Sequence, residues 1–172
     1  MRDVLADEPA LAAELIEPAA APLLSPLVSP PLTPYEAAGL DLILEGFLLH
    51  HGRARHLTPS APGREVLAGD YCYAHGLVRI TGAGDLFVVE ALADLIALGA
   101  GLVAAGHHAS LLALWRGTTA AIAARRGPDE AASGAAFLAA QRALRTTGDA
   151  SGLAALADGL PPTPGLEQAL TR

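Results

Sequence analysis

The sequence contains no lysine: all 11 of its basic residues are arginine. Against 18 acidic residues they leave a formal charge of -7 and a pI near 5.2. Sequence-independent binding of nucleic acid draws its affinity from clustered cations, so this balance argues against nucleic acid as a partner. Cysteine is nearly absent as well. Cys72 stands alone, which excludes an intrachain disulfide and a cysteine metal cluster and suits a reducing, cytoplasmic setting. Aromatic residues make up 4% of the chain while hydrophobic residues make up 52%, so the core must come from small and aliphatic side chains on helices. No basic segment leads into an apolar core in MRDVLADEPALAAEL, and the N-terminus therefore does not read as a signal peptide. Neither a G-x-S-x-G step nor a phosphate-cradling glycine loop occurs, and Cys72 falls inside a helical pattern as a small core residue.

What is present is an Ala/Leu-rich chain of 172 residues, enough for one domain with a real core. It divides into a Pro-rich N-terminal arm over 1–34, a helical bundle over 35–158 and a loose C-terminal tail over 159–172. In the arm, a short helix is expected from Glu8 to Glu17. The strip APLLSPLVSPPLTP follows, where prolines forbid a continuous helix and Leu23, Leu24, Leu27, Val28 and Leu32 call for apolar cover. That cover is either the arm's own domain or a partner. Thr33, Pro34 and Glu36 form a capping box that opens a helix running to about His51. A loop, GRARHLTPSAPG, leads to a second helix from about Arg64 to Ile80. Asp85 caps a third, from Leu86 to about Ala104. After Gly106 a fourth runs from about His108 to Arg125 or Arg126, ended by Gly127. Pro128, Asp129 and Glu130 open a fifth that lasts to about Thr146, and a sixth covers Ser151 to Ala157. A last turn spans Leu166 to Leu170. The expected architecture is an all-α antiparallel helical bundle. Leu95 to Trp115 carries no formal charge over about one membrane thickness. Its glycines and the His107–His108 pair break that run into two helices, so no stable transmembrane span is expected, and the chain is placed in the cytoplasm or peripheral to a membrane.

One step resists the bundle pattern. Gly69 and Asp70 stand inside an otherwise good helix, although glycine costs about 1 kcal/mol there relative to alanine. The expectation is that Gly69 admits a neighbouring helix and that Asp70, partly buried, finds Arg53, Arg55 or Arg64. The histidines at 50, 51, 56, 75, 107 and 108 lack metal spacing, and the two adjacent pairs suit helix ends.

The run VLAGDYCYAHGLVRITGAGDLFVVEALADLIALGAGL resembles the middle of the trans-isoprenyl diphosphate synthase family, where a Leu-Ala-Gly-Asp-Tyr step follows a basic loop. It is also similar to the noncatalytic component of heterodimeric heptaprenyl diphosphate synthases. The resemblance covers roughly Glu36 to Val103 and is sharpest over Val66 to Tyr71, with Gly69, Asp70 and Tyr71 as its structural step. It implies a partial isoprenoid-synthase-like fold. In the family, magnesium is held between two aspartate-rich motifs; here no Asp-Asp pair exists. At the place of the first motif stand Asp41 and Glu45, four residues apart, and Glu90 with Asp94 repeats the spacing. Each pair reads either as a solvated stripe or, if all four converge, as ligands of a magnesium ion. Arg53, Arg55 and His56 fall where the family's basic loop grips a diphosphate, a role that suits the planar guanidinium fork; the other reading is an exposed, solubilising loop.

The resemblance implies a noncatalytic small subunit of a heteromeric polyprenyl diphosphate synthase. Such a subunit has no cofactor alone, would take part in prenyltransferase chemistry through a larger catalytic partner that holds the magnesium, and would shape that partner's apolar product tunnel. Its partners would be that subunit, or a second copy of itself, and a prenyl chain or other apolar ligand. The rival readings are a stand-alone helical protein that binds a hydrophobic ligand or serves assembly, and an independent enzyme built on the four carboxylates.

Overall fold

Two of the long helices begin at a side chain that accepts the free N–H groups of a first turn. Thr33 caps α4 (Pro34–His51) in a reciprocal box with Glu36: the Glu36 amide donates to Thr33 Oγ1 at 3.3 Å and the Thr33 amide donates to Glu36 Oε2 at 2.8 Å. Asp85 caps α6 (Leu86–Ala104), accepting from the amides of Phe87 and Val88. The computed structural model describes residues 1–29, 32–81, 84–125 and 129–171. Before α4 come α1 (Arg2–Asp7), α2 (Pro9–Ala12) and α3 (Ser25–Val28). Between α4 and α6 lies α5 (Pro62–Thr81), and beyond α6 follow a 3-10 turn at His108–Ser110, α7 (Leu111–Ala123), α8 (Glu130–Thr147), α9 (Ser151–Ala157) and α10 (Pro164–Leu170). The protein is all-α: among the described residues the sole β-type pairing is an isolated bridge between Leu15 and Leu57. Expectations resting on Pro30, Pro31, Arg126, Gly127 and Pro128, and on the start of the turn before Asp85, lie outside the described residues.

The expected helix from Glu8 to Glu17 stops at Ala12, because Glu14 to Ile16 pairs with the 56–58 loop instead. The expected fourth helix starts as a 3-10 turn, and its α-helical part begins at Leu111. The tail, expected to be loose apart from a last turn at Leu166 to Leu170, carries α10 at that place, and its Leu166, Ala169 and Leu170 are buried in the main core. Arg116 on α7 fixes the connection before it. Its guanidinium donates to the carbonyls of Ala157, Leu160 and Pro161 and to Thr163 Oγ1, at 2.7 to 3.1 Å.

The arm folds onto its own domain. Leu24, Val28 and Leu32 join the main core, while Val4, Leu5 and Leu11 join a second cluster with Leu42, Leu49, Leu57, Ala68 and Cys72. Helix α4 therefore feeds two cores from opposite faces, and a helix apolar on all sides belongs in such a place. It meets α5 through glycines. A Cβ on Gly39 would lie 2.7 Å from the Gly76 carbonyl oxygen, and one on Gly46 would lie 2.9 Å from that of Gly69. The two pairs run in opposite senses along the chain, so α4 and α5 cross antiparallel at backbone contact.

Candidate functional site

The family resemblance directs attention to the face of α4 that carries Asp41 and Glu45. Both are buried, at 3% and 1% exposure, so neither belongs to a solvated stripe. Their oxygens are occupied by backbone donors. Asp41 Oδ1 accepts from the amides of Leu23 and Leu24 at 2.9 Å each, and Oδ2 accepts from Ser25 at 3.2 Å. One helical turn on, Glu45 Oε1 accepts from the amides of Arg55, His56 and Leu57 at 3.0, 2.7 and 3.1 Å, with Oε2 also 3.0 Å from the Arg55 nitrogen. Asp41 thus serves as the missing cap of α3, and Glu45 fastens the loop between α4 and α5. Burial pushes the Glu45 carboxyl above its ordinary value, while the three amides and the Arg55 charge pull it back.

The second pair lies elsewhere. Glu90 is exposed on α6, and Asp94 accepts from Arg145 of α8 at 2.9 Å. The four carboxylates do not gather around one cavity, and among the described residues no group of three or more His, Cys, Asp or Glu side chains is placed to hold a metal. Magnesium needs several carboxylate or water oxygens in octahedral array. The lone pairs of Asp41 and Glu45 point at N–H groups instead, so these residues do not fit that ion.

Of the three loop residues expected to meet a diphosphate, two share a pocket. Arg53 and Arg55 line a cleft of ≈ 140 Å³ whose opposite wall is Gly165, Gln168 and Ala169 on α10. Arg53 is exposed there. Arg55 also donates from its guanidinium to the Ala21 carbonyl at 2.8 Å, tying the loop to the arm. An anion of phosphate size would find guanidinium donors in this cleft. His56 is not among its lining residues. It is 3% exposed, and burial, aided by the Arg55 charge, lowers its imidazole to about 4, so it stays neutral near pH 7.

The Gly69–Asp70 step is explained by His50. The imidazole at the end of α4 lies so close over Gly69 that a Cβ there would be 2.6 Å from Nε2. Its Nε2 meets Asp70 Oδ1 at 3.1 Å, and its ring stacks on Tyr73 with centroids 5.3 Å apart. Asp70 is exposed and its partner is this histidine, not an arginine, which corrects the expected pairing with Arg53, Arg55 or Arg64. Tyr71 stacks on His75 at 4.1 Å and reaches the Val4 carbonyl at 3.4 Å, joining α5 to α1.

Helix α6 is long and apolar enough to cross a membrane by length and composition. Its inner face packs in the main core through Val88, Ala91, Leu92, Leu95 and Leu102. Its outer face shows Leu86, Glu90, Ala93, Ala97, Gly101 and Ala104 to solvent.

Sequence reasoning did not find the amide donors to Asp41 and Glu45, nor the ties made by Arg116 and by Glu14, whose Oε1 accepts from Arg64 Nε at 2.6 Å and from Ser60 Oγ at 3.2 Å. The glycine seam did leave a signal, since Gly39 and Gly46 on one helix, like Gly69 and Gly76 on the next, are seven residues apart. Compared with protein-family models, with curated proteins and with solved structures, the chain matches none.

Proposed function

We propose that the chain is the noncatalytic small subunit of a heteromeric polyprenyl diphosphate synthase, docking on a larger catalytic chain and shaping the apolar tunnel in which that chain grows its product. The observation that carries this reading is the outer line of α6, where Leu86, Ala93, Ala97, Gly101 and Ala104 face solvent on an apolar helix whose other side packs in the core. Interfaces of stable hetero-complexes are built from such helix faces. The resemblance around Val66 to Tyr71 supports the choice of partner. The amide-filled carboxylates of α4 support a subunit that leaves the magnesium chemistry to its partner.

The test is affinity purification of the tagged chain from its native cells, with mass spectrometry of what co-purifies in stoichiometric amount. A larger chain bearing two aspartate-rich motifs is the expected result, together with prenyl transfer that needs both chains. Ala97→Glu, on the exposed line of α6, should abolish that capture and change folding stability by no more than about 0.5 kcal/mol. Recovery of the tagged chain alone would sink the reading.

A further inference from the structure

Helix α5 buries one side only. Ala68, Gly69, Cys72, Gly76 and Ile80 are buried, and the opposite line of the helix runs through Leu67, Tyr71, Ala74 and Val78. At 69% and 67% exposure, Leu67 and Val78 are large apolar side chains left in water at the two ends of that line. The steps between the four residues are four, three and four, the spacing of a coiled-coil seam. It reads the same in both directions. A second α5 laid antiparallel over the first therefore sets Leu67 against the partner's Val78 and half-buried Tyr71 against the partner's Ala74, a large side chain beside a small one.

The face is also shaped for its own copy. At its N-terminal end a cleft of ≈ 170 Å³, open to solvent, lies between Ala10 and Leu11 of α2 and Leu67, Ala68 and Tyr71 of α5. At its other end, about 16 Å along the helix from Leu67, stands Val78. A two-fold interface needs a hole and a knob related in this way, so that each copy fills the other's. Charge agrees with the antiparallel sense. Asp7 and Glu8 flank the cleft end, His75 and Arg79 flank the Val78 end, and among the described residues none of the four has an ion-pair partner. All four lie along one edge of the face, since Tyr71 stacks on His75 and feels the charges of Glu8, Asp7 and Arg79. A two-fold axis normal to α5 keeps that edge on its own side and reverses its ends, which brings the acids of one copy toward the bases of the other.

We propose that the chain forms a two-fold homodimer through the outer face of α5, with Val78 of each copy seated in the α2–α5 cleft of the other. This face lies apart from the outer line of α6, so the proposal does not rest on the subunit reading. A standard interface takes roughly 800 Å² from each partner. One helix of 20 residues with the short α2 beside it offers no more than that, and the dimer is therefore expected to be a weak one.

Sedimentation equilibrium of the purified full-length chain, over a series from micromolar to submillimolar concentration, tests it. The mass should rise from 17.4 kDa toward twice that value, with a Kd in the tens of micromolar. Val78→Arg and Leu67→Arg change exposed side chains, so the fold should persist while each weakens the dimer at least about tenfold. Ala97→Glu on α6 should leave the Kd unchanged. Cysteines at the two ends of the face then report its sense, because Cys72 is buried and its thiol is pushed up by that burial, leaving it unreactive. Gly63→Cys and Thr81→Cys should cross-link through a short bismaleimide when the two variants are mixed, and neither should do so alone. A monomer at every concentration, a dimer indifferent to both arginine variants, or cross-linking as strong in either cysteine variant alone as in the mixture would overturn the proposal.

Discussion

Helices α4 and α6 are nearly equal in length, at 18 and 19 residues, and each carries two carboxylates four residues apart. Their surroundings are opposite. On α4 twelve residues are buried, both carboxylates among them, and the arm, the 52–61 loop and α5 close over it. On α6 six are buried; Glu90 faces water and Asp94 meets an arginine. The difference teaches that an apolar helix acquires its role from what the rest of the chain can bring to it. Helix α4 has neighbours with unpaired amides at the right height, so its carboxylates become fasteners. Helix α6 has neighbours on one side, so its other side remains available.

The largest expected effect tests the carboxylates as fasteners. Glu45→Ala leaves the amides of Arg55, His56 and Leu57 without their acceptor and should cost about 3–5 kcal/mol in denaturant unfolding. Glu90→Ala, the corresponding change on α6, should fall within about 0.5 kcal/mol of the wild type. Equal costs would erase the contrast.

Next comes the pH dependence of the same fastening. The His56 imidazole lies at about 4 in the folded protein against 6.5 when free, chiefly through burial. A folded value below the unfolded one means that its contribution is full above pH 6.5 and is lost as pH falls toward 4, about 3 kcal/mol in all. Glu45 works the other way: its raised carboxyl gives stability that is present below its free value and lost as pH rises through the folded one. The histidine part is therefore read as a difference. Replacing it in His56→Gln should shrink the fall in stability between pH 6.5 and 4 by about 3 kcal/mol, and superimposable curves would refute the assignment.

Smallest is the contrast between glycines. Gly39→Ala forces a Cβ to within 2.7 Å of the Gly76 carbonyl and should destabilise by about 1–3 kcal/mol. Gly101→Ala on α6 meets nothing within 4 Å and should stabilise by about 0.5–1 kcal/mol, measured as a rise in Tm.

Much of the helix plan was legible because its signals are local. The Thr33–Glu36 box, the Asp85 cap and the left-handed Gly106 and Gly148 act within a few residues of the boundaries they set. The role of Asp41 and Glu45 was not. A four-residue carboxylate spacing is shared by a solvated stripe, a metal pair and an amide clamp, and the deciding donors lie 16 to 18 residues before Asp41 and 10 to 12 after Glu45. Asp70 failed for the same reason, since His50 lies 20 residues away and is admitted by the missing side chain of Gly69. The arm misled in a different way: its prolines signalled an extended strip, whereas the Asp41 carboxylate supplies the cap that lets four residues of it close into α3.

The ties around α4 form a closed circuit. Asp41 holds the arm, the Arg55 guanidinium joins the arm at Ala21 to the loop, and Glu45 returns the loop to the helix that bears Asp41. Because Arg55 also lines the α10 cleft, the arm and that cleft share a side chain. Any anion held by that guanidinium at the expense of Ala21 would weaken the seat of the arm, and peeling the arm away would favour the anion by the same factor.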